Sequence, residues 1–172
     1  MTNKPLWINL GCSDDIKPGY VNVDMRSFSA EDQERAVCLW ADLRVSWPCV
    51  DSTVDFILAK DIIEHLPDKI HTMNEAWRVL KPGGVMQVEV PTTEGRGAFQ
   101  DPTHVSYWNA NSFFYFEHGN AHRERFGEDY GVRARFEIVQ YKHERLADEV
   151  TKLNITLKAV KPDADKCDSP ME

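Results

Sequence analysis

The sequence lacks any apolar run long enough to cross a lipid bilayer. A membrane-spanning helix needs about 20 consecutive apolar residues, whereas the apolar stretch nearest the amino end, residues 6–10, is already interrupted by Asn9. No sustained apolar region follows Lys4, so the first residues do not form the pattern of a secretory signal peptide. We therefore expect a cytoplasmic protein that does not insert into a membrane.

Cysteine is scarce and scattered. The chain of 172 residues contains four cysteines, with no close pair and no histidine at zinc-ligand spacing, which predicts free thiols in a reducing compartment. His118 and His122 stand four residues apart and would share one face of a helix. Gly119 and Asn120 between them oppose a helix, so the sequence predicts no metal site.

Positive charge is also in deficit. The formal net charge is −8 at pH 7, and the isoelectric point is about 5.2. An acidic chain repels a phosphate backbone and an anionic bilayer, which disfavours nucleic acid as a partner. The arginines at positions 123, 125, 133 and 135 leave a local basic patch open as an alternative. A solvated face is the simpler interpretation of these arginines.

Seven short runs predict β-strands. They are apolar or alternating, rich in β-branched residues and bounded by turn-forming residues, and they span residues 6–10, 20–24, 36–40, 54–59, 85–90, 135–141 and 150–160. After Asp68 the apolar period changes to three and four residues, which predicts a helix with its buried face at Ile70, Met73, Trp77 and Leu80. Pro82-Gly83-Gly84 ends that helix.

The order of these elements predicts the fold class. Early strands that alternate with crossover segments favour a parallel sheet covered on both faces. The last two runs, joined by the charged segment 142–149, favour an antiparallel pair. We therefore predict an α/β fold: a seven-stranded, mostly parallel, doubly wound sheet with an antiparallel C-terminal hairpin. We assign residues 1–160 to one domain and the polar residues 161–172 to a flexible tail.

The residues that follow the strands are suited to a nucleoside. In an open parallel sheet, ligands bind beyond the carboxyl ends of the strands. There, Gly11 lets the backbone turn sharply and approach a ligand, Asp24 can accept hydrogen bonds from both ribose hydroxyls, and Asp42 can accept one from an adenine amino group. The full set after the strands is Gly11-Cys12-Ser13, Asp24-Met25, Asp42-Leu43, Lys60-Asp61 and Pro91-Thr92.

Five motifs occur in a fixed order along this part of the chain. They are Ile8-Asn9-Leu10-Gly11-Cys12, Asn22-Val23-Asp24, Ala41-Asp42-Leu43, Asp61-Ile62-Ile63-Glu64-His65-Leu66-Pro67 and Arg78-Val79-Leu80-Lys81-Pro82-Gly83-Gly84. In identity and order they resemble class I, Rossmann-like, S-adenosylmethionine-dependent methyltransferases, over about residues 6–90. The Leu-Lys-Pro-Gly-Gly helix end before a strand is the most specific of the five.

The resemblance implies a cofactor and a set of residues that bind it. S-adenosylmethionine would be the methyl donor and S-adenosylhomocysteine the product. The resemblance places Gly11 and Cys12 at the methionine part, Asp24 at the ribose, Asp42 at the adenine and Asp61 near the sulfonium. The predicted cofactor-binding set is completed by Asn9, Ser13, Met25 and Leu43.

Two departures from the family pattern stand out. Asn9 occupies a position that is usually acidic, and Ser13 one that is usually a second glycine. Asp24 follows Gly11 by only 13 positions, where roughly 20 are expected when a full helix crosses over. Pro18 and Gly19 also oppose a helix there. We predict a compact loop or single turn, as in a small branch of relatives with the Pro-Gly-Tyr-Val-Asn-Val-Asp pattern.

Three residues are candidates for catalysis. Methyl transfer depends mainly on in-line positioning, with a base when the nucleophile carries a proton. His104 is the predicted base and Asp101 its orienting partner, and His65 is a further candidate near the cofactor. In the alternative interpretation, Asp101 and His104 only cap a turn.

The acceptor is less well specified by the sequence. We expect an oxygen or nitrogen of a small-molecule or glycan-like acceptor, in a pocket built from residues 92–125 unless a homodimer partner or another subunit closes it. The aromatic run 113–116 would either stack on a planar substrate or form the apolar face of a helix.

The sequence is also compared with the patterns of two other functions, one of which stays open. A non-catalytic or regulatory module that binds S-adenosylmethionine or S-adenosylhomocysteine is the alternative to an enzyme. A nicotinamide-dependent oxidoreductase is disfavoured, because the Gly-x-Gly-x-x-Gly loop is missing and Asp14 and Asp15 would repel a pyrophosphate.

Overall fold

A computed structural model describes residues 4–162 and contains one seven-stranded sheet. The strands are β1 (Trp7–Leu10), β2 (Val21–Asp24), β3 (Val37–Trp40), β4 (Val54–Lys60), β5 (Leu80–Pro91), β6 (Phe136–Arg145) and β7 (Thr151–Ala159). Their spatial order is β3-β2-β1-β4-β5-β7-β6. All seven predicted strands are therefore present.

Pairing in the sheet is mostly parallel. Strands β1 to β5 pair in parallel, and β7 is antiparallel to both β5 and β6, which confirms the predicted fold class. Leu10 in β1 pairs with Val23 and with Ala59 in its two neighbours. This register brings the carboxyl ends of β1, β2 and β4 to one edge of the sheet. The residues that directly follow these ends are Gly11, Met25 and Asp61, respectively.

Short helices connect the strands. They are α1 (Ala30–Arg35), α2 (Lys69–Val79), α3 (Gly97–Gln100), α4 (Ala110–Phe114) and α5 (Ala121–Phe126), together with 3-10 turns at Ile63–His65 and Ala147–Glu149. Asp68 caps the N-terminus of helix α2: its side chain accepts a hydrogen bond from the His71 N–H at 2.8 Å. Met73 and Ala76 on its inner face are fully buried against the sheet core. In the described part of the chain, no helix has the length and apolarity needed to cross a bilayer.

Two predicted boundaries were wrong. The helix was predicted to include Leu80 and to stop at the Pro-Gly-Gly sequence, but α2 ends at Val79 and β5 already begins at Leu80. Leu80 pairs with Val54, and the register shifts before Phe56 pairs with Val85, so the Pro-Gly-Gly sequence lies in an irregular start of the strand. The connection between the last two strands was predicted to span residues 142–149. The observed connection is shorter, because β6 pairs with β7 as far as Arg145.

The connection between β1 and β2 contains no helix, as predicted. Buried Asn22 organises it instead: its side-chain oxygen accepts from the Lys17 N–H at 2.9 Å and from the Asn9 amide at 3.0 Å, and its amide donates to the Lys17 carbonyl at 3.0 Å. Asn9 also donates to the Asp15 carbonyl at 2.8 Å. Two buried amides thus satisfy backbone groups that a crossover helix would otherwise pair internally.

The hydrophobic core lies between the sheet and the elements that cover it. Its fully buried large side chains come from the central strands and from the segment after α3, and include Ile8, Ile57, Met86, Trp108, Phe113 and Leu157. Strand β6, at the edge, buries only Phe136 fully. The predicted domain bounds, 1–160, stay a prediction, and residues 163–172 of the predicted tail lie outside the described residues.

A buried ion pair ties α2 to the segment that follows β3. Glu75, 5% exposed, accepts two hydrogen bonds from Arg78, at 2.8 and 2.7 Å, and one from the Trp47 N–H at 2.7 Å. Burial opposes ionisation of Glu75, but these hydrogen bonds outweigh it and hold its pKa below the usual value. The Trp47 indole in turn donates to the Leu43 carbonyl at 3.1 Å.

We predict that this pair makes the protein sensitive to acid. A carboxyl group whose pKa is lowered by folding stabilises the protein above its ordinary pKa, and that stabilisation is lost as the pH falls. Glu75→Gln should lower the free energy of unfolding by about 2 kcal/mol or more at pH 7, with a smaller difference from the wild type at pH 3.5. Urea unfolding at both pH values measures this. Glu34→Gln, at an exposed position of α1, is the control. An equal effect of Glu75→Gln at both pH values would contradict the assignment.

Candidate functional site

An open cleft lies at the carboxyl edge of the sheet. Its volume is about 150 Å³, smaller than the roughly 300–1,000 Å³ typical of small-molecule sites. Its walls come from the ends of β1, β2 and β3 and from the turn after β4, and are formed by Gly11, Asp24, Met25, Ala41, Asp42, Leu43, Arg44, Ile62, His65 and Leu66. The three residues on which the predicted nucleoside site depended, Gly11, Asp24 and Asp42, therefore share one cleft.

Gly11 is required at the floor of this cleft for two reasons. Its φ is +59°, in the region that residues with a side chain rarely adopt. A Cβ atom at this position would also lie 2.4 Å from Cγ1 of Ile62, far inside contact distance. The backbone at the end of β1 is consequently bare toward the cleft and packed against the turn after β4.

Asp24 fastens the ends of β1 and β2 to each other. Its carboxylate accepts from the Ser13 N–H at 2.9 Å and from the Arg26 N–H at 2.9 Å. The Arg26 guanidinium also binds the same loop, because it donates to the Ser13 carbonyl at 2.7 Å. Each carboxylate oxygen has a second lone-pair direction, so Asp24 can still accept from a ligand.

Asp42 carries its own counter-ion. Arg44 donates to one Asp42 oxygen through Nε at 2.9 Å and to the other through Nη2 at 2.8 Å. These hydrogen bonds lower the pKa of Asp42, which keeps it ionised. Arg44 also approaches the Met25 sulfur, 3.7 Å away. Sequence reasoning missed Arg44, although its position two residues after Asp42 allows a local fork contact.

Three predicted cofactor-binding residues do not line the cleft but support it. Asn9 is 3% exposed and is committed to the loop before β2. Cys12 is 3% exposed, and burial, together with the charge of Asp24, raises the pKa of its thiol to about 11. Ser13, with a φ of 43°, contributes its backbone groups to Asp24 and Arg26. Direct contact of these residues with a cofactor stays a prediction.

Asp61 directly follows β4 and, unlike its neighbour Ile62, does not line the cleft. Its backbone has a φ of 50° and its N–H donates to the Glu89 carbonyl at 2.9 Å. Oδ2 accepts from the Lys152 ammonium at 2.6 Å, and the same ammonium binds Glu89 at 2.7 Å. Within residues 4–162, the buried Oδ1 of Asp61 has no hydrogen-bond partner. Its predicted role near the sulfonium is untested.

The predicted catalytic residues lie close together at one side of the cleft. His65 lines it, whereas the His104 side chain is only 7% exposed and does not. Nε2 of His104 is 3.9 Å from Oδ2 of Asp101, too far for a hydrogen bond. Asp101 instead accepts from Thr103 through its N–H at 2.8 Å and its hydroxyl at 2.6 Å. Asp101 thus caps a turn, and the base role of His104 stays a prediction.

Glu64 is a second residue that was not predicted from the sequence. It is 2% exposed, and neither of its carboxylate oxygens has a hydrogen-bond partner among the described residues. Burial raises the pKa of Glu64 to about 7. Oε1 lies 3.9 Å from Nε2 of His104, and the His65 and His104 rings are 4.9 Å apart. The motif from Asp61 to Pro67 contains Glu64, but nothing in the sequence indicates that residues 101–106 bury it.

The other candidate groups are placed differently. Phe113 and Phe116 are buried in the core, whereas Tyr115 lines a separate groove with Tyr130. His118 lies before α5 and His122 within it, so the two imidazoles do not share one helix.

Part of the chain is similar in sequence to known methyltransferases. Residues 15–88 match the sequence profile of a methyltransferase domain. The chain is 37% identical over 67 residues to a probable S-adenosylmethionine-dependent methyltransferase of Mycolicibacterium smegmatis, and this match covers 37% of the chain and 26% of the relative. The chain thus matches about a quarter of that relative's length.

Solved structures match over nearly the whole chain. The YcgJ protein of Bacillus subtilis has a TM-score of 0.64 at 12% identity, covering 92% of this chain and 93% of its own. A Haloferax volcanii putative methyltransferase, solved with the Trm112 methyltransferase activator, has a TM-score of 0.62 at 16% identity, covering 92% and 84%. The chain has the fold of a class I methyltransferase. The domain match and the S-adenosylmethionine-dependent relative imply S-adenosylmethionine as the cofactor.

We predict that the floor of the cleft does not tolerate a side chain at position 11. Gly11→Ala should lower the free energy of unfolding by about 2–4 kcal/mol, because it combines backbone strain with a clash against Ile62. Gly19→Ala is the matched control: its φ is also positive, +85°, but nothing lies within 4 Å of the added Cβ, so only about 1–2 kcal/mol of strain is expected. Urea unfolding measures both. Equal losses in the two variants would show that the contact with Ile62 is unimportant.

Proposed function

We propose that this protein transfers a methyl group from S-adenosylmethionine to an oxygen or nitrogen of a small-molecule or glycan-like acceptor, releasing S-adenosylhomocysteine. The observation that carries the proposal is the shared cleft, in which a bare backbone turn and two carboxylates come from three different strand ends. Three separate segments with the chemistry of one nucleoside site are difficult to explain by packing alone.

The chemistry of the cleft fits the proposed cofactor. Asp24 has acceptor capacity left for ribose hydroxyls, and ionised Asp42 has the same for an adenine amino group. Apolar Leu43, Ile62 and Leu66 offer flat contact to a purine ring. Gly11 lines the same cleft without a side chain, and its backbone would face the methionine part. In this arrangement the chain's own residues bind and orient the donor.

The acceptor side of the site lies toward His65. S-adenosylmethionine already carries an activated methyl group, so the protein must mainly align donor and acceptor and, where the acceptor carries a proton, help to remove it. His65 borders the cleft and His104 packs directly behind it. We propose that these two imidazoles form the polar wall that the acceptor meets.

A non-catalytic module that binds the same nucleoside is the second candidate. The observation that favours it is the commitment of groups near the cofactor to internal contacts: Asp42 to Arg44, and Asn9 to Asn22. The two candidates differ in turnover. Release of S-adenosylhomocysteine with any member of a broad acceptor panel supports the enzyme, and cofactor binding without turnover across the panel supports the module.

Calorimetric titration with S-adenosylhomocysteine tests the site itself. We predict saturable binding to the wild type and a loss of roughly 1.5–3 kcal/mol of binding free energy in Asp24→Ala, which removes a charged acceptor. Asp14→Ala, at a side chain that is 97% exposed on the neighbouring loop, should bind like the wild type. Because Asp24 also holds the Ser13 loop, thermal unfolding of each variant should accompany the titration. Unchanged affinity in a folded Asp24→Ala variant would remove the ribose assignment.

A further inference from the structure

Glu64, His65 and His104 form a compact polar cluster beside the cleft. Each offers one possible ligand atom for a metal ion, and these three atoms lie within 4.8 Å of one another. Glu64 and His65 belong to the 3-10 turn after β4, and His104 to the segment after α3. The Glu64 carbonyl accepts from the Val105 and Ser106 N–H groups, at 2.9 and 3.0 Å, which fixes the two segments to each other.

The hydrogen bonds of the two histidines determine which ring nitrogen is free. Nδ1 of His65 lies 3.2 Å from the Thr103 carbonyl oxygen, and Nδ1 of His104 lies 3.0 Å from that of Ala98. A carbonyl oxygen can only accept, so both Nδ1 atoms donate in these hydrogen bonds, and Nε2 is the nitrogen that each ring has left for another partner. The Thr103 hydroxyl, 3.1 Å from His65 Nδ1, already donates to Asp101 and is consistent with this assignment. Histidines that bind metals have this same support from a backbone carbonyl.

Glu64 supplies an independent indication of a ligand. Its carboxylate is 98% buried, yet neither oxygen has a hydrogen-bond partner in the described part of the chain. Oε1 lies 3.9 Å from Nε2 of His104. A buried carboxylate without a partner is strongly unfavourable, and natural sites pair it or place it on a metal ion. Here an unpartnered carboxylate and two imidazoles converge, and a bound cation would satisfy all three.

We propose that Glu64, His65 and His104 bind one divalent transition-metal ion. Two imidazoles and one carboxylate are a three-residue set that holds Zn²⁺ and leaves a coordination position open. Mg²⁺ and Ca²⁺ prefer sets made of oxygen atoms, so Zn²⁺, Co²⁺ and similar ions are the expected occupants. Ligand atoms around tetrahedral Zn²⁺ lie about 3.4 Å apart, so the side chains must close by roughly 1 Å when the ion binds.

The metal site changes the interpretation of the histidines. The prediction of no metal was based on the cysteines and on His118 and His122, which lie elsewhere. An ion held through both Nε2 lone pairs would leave neither imidazole free to act as a base. Because His65 also borders the cleft, the open coordination position would face an acceptor oxygen; this last step rests on the proposed methyl transfer, whereas metal binding itself does not.

The test uses the full chain, stripped of metal by a chelator and then dialysed. Calorimetric titration with ZnCl₂ should show one tight site per chain, and CoCl₂ should give the intense visible absorption of a tetrahedral nitrogen and oxygen site. Glu64→Gln and His104→Gln should each weaken Zn²⁺ binding by tenfold or more. His122→Gln, at an exposed histidine away from the cluster, should bind Zn²⁺ like the wild type. If a buried variant fails to fold by circular dichroism, His65→Gln provides the same comparison.

Two results would overturn the proposal: no saturable Zn²⁺ or Co²⁺ binding to the folded, stripped protein, or binding that survives in Glu64→Gln and His104→Gln. A parallel titration of the stripped protein with S-adenosylhomocysteine distinguishes failure of the proposed metal site from failure of the proposed methyl transfer. Nucleoside binding without any metal binding would reject the metal site and leave the proposed function intact. Metal binding without nucleoside binding would do the reverse.

Discussion

The site depends on the contact between the Gly11 backbone and the Ile62 side chain. These residues follow β1 and β4, neighbouring parallel strands whose ends the register aligns. A missing side chain at position 11 lets Ile62 approach so closely that it covers one side of the turn and leaves the other open to the cleft. Because Asp24 holds the next residues of that turn through the Ser13 N–H, the same contact also sets where the second strand end lies.

The strands and the meeting of Gly11, Asp24 and Asp42 in one cleft were predictable because their determinants are local. Period-two alternation and β-branched residues identify a strand from its own sequence, and the rule for parallel sheets then places the strand ends along one edge. Gly11, Asp24 and Asp42 follow directly from that rule. The short loop before β2 was also predictable, since Pro18 and Gly19 are incompatible with a helix.

What could not be predicted depends on contacts between distant segments. Leu80 has the spacing of a helix residue, but its pairing with Val54 makes it the first residue of β5. Glu64 is polar and sits in an ordinary motif, and only its packing under residues 101–106, about 40 positions later, buries it. The predicted pairing of His104 with Asp101 is not formed. The two side chains are 3.9 Å apart, and Asp101 accepts its hydrogen bond from the Thr103 N–H instead.

The two ends of the cleft differ in how their charges are satisfied. At the nucleoside end, each carboxylate is already held by donors from the chain: Asp24 by backbone N–H groups and Asp42 by Arg44. This end is therefore organised before any ligand arrives, and a ligand uses only the remaining lone pairs. Beside the cleft, next to His65, the two buried Glu64 oxygens have no donor among the described residues, and Glu64 converges there with the two imidazoles.

This asymmetry suits chemistry that begins with a positively charged donor. The methyl group of S-adenosylmethionine is attached to a sulfonium, and in the proposed function the carboxylates of Asp61 and Glu64 lie on the turn after β4, which borders the cleft at Ile62 and His65. Lys152 pairs with both Asp61 and Glu89, and Lys60 lies 3.7 Å from Glu89, so part of the negative charge around this turn is neutralised. A cation at the Glu64 cluster would offset the remaining negative charge, weakening attraction for the sulfonium while strengthening it for an acceptor anion. In-line transfer requires the acceptor atom to contact the methyl group on the side opposite the sulfur, so in the proposed function the acceptor wall at His65 must meet the methionine part of the donor within this one cleft.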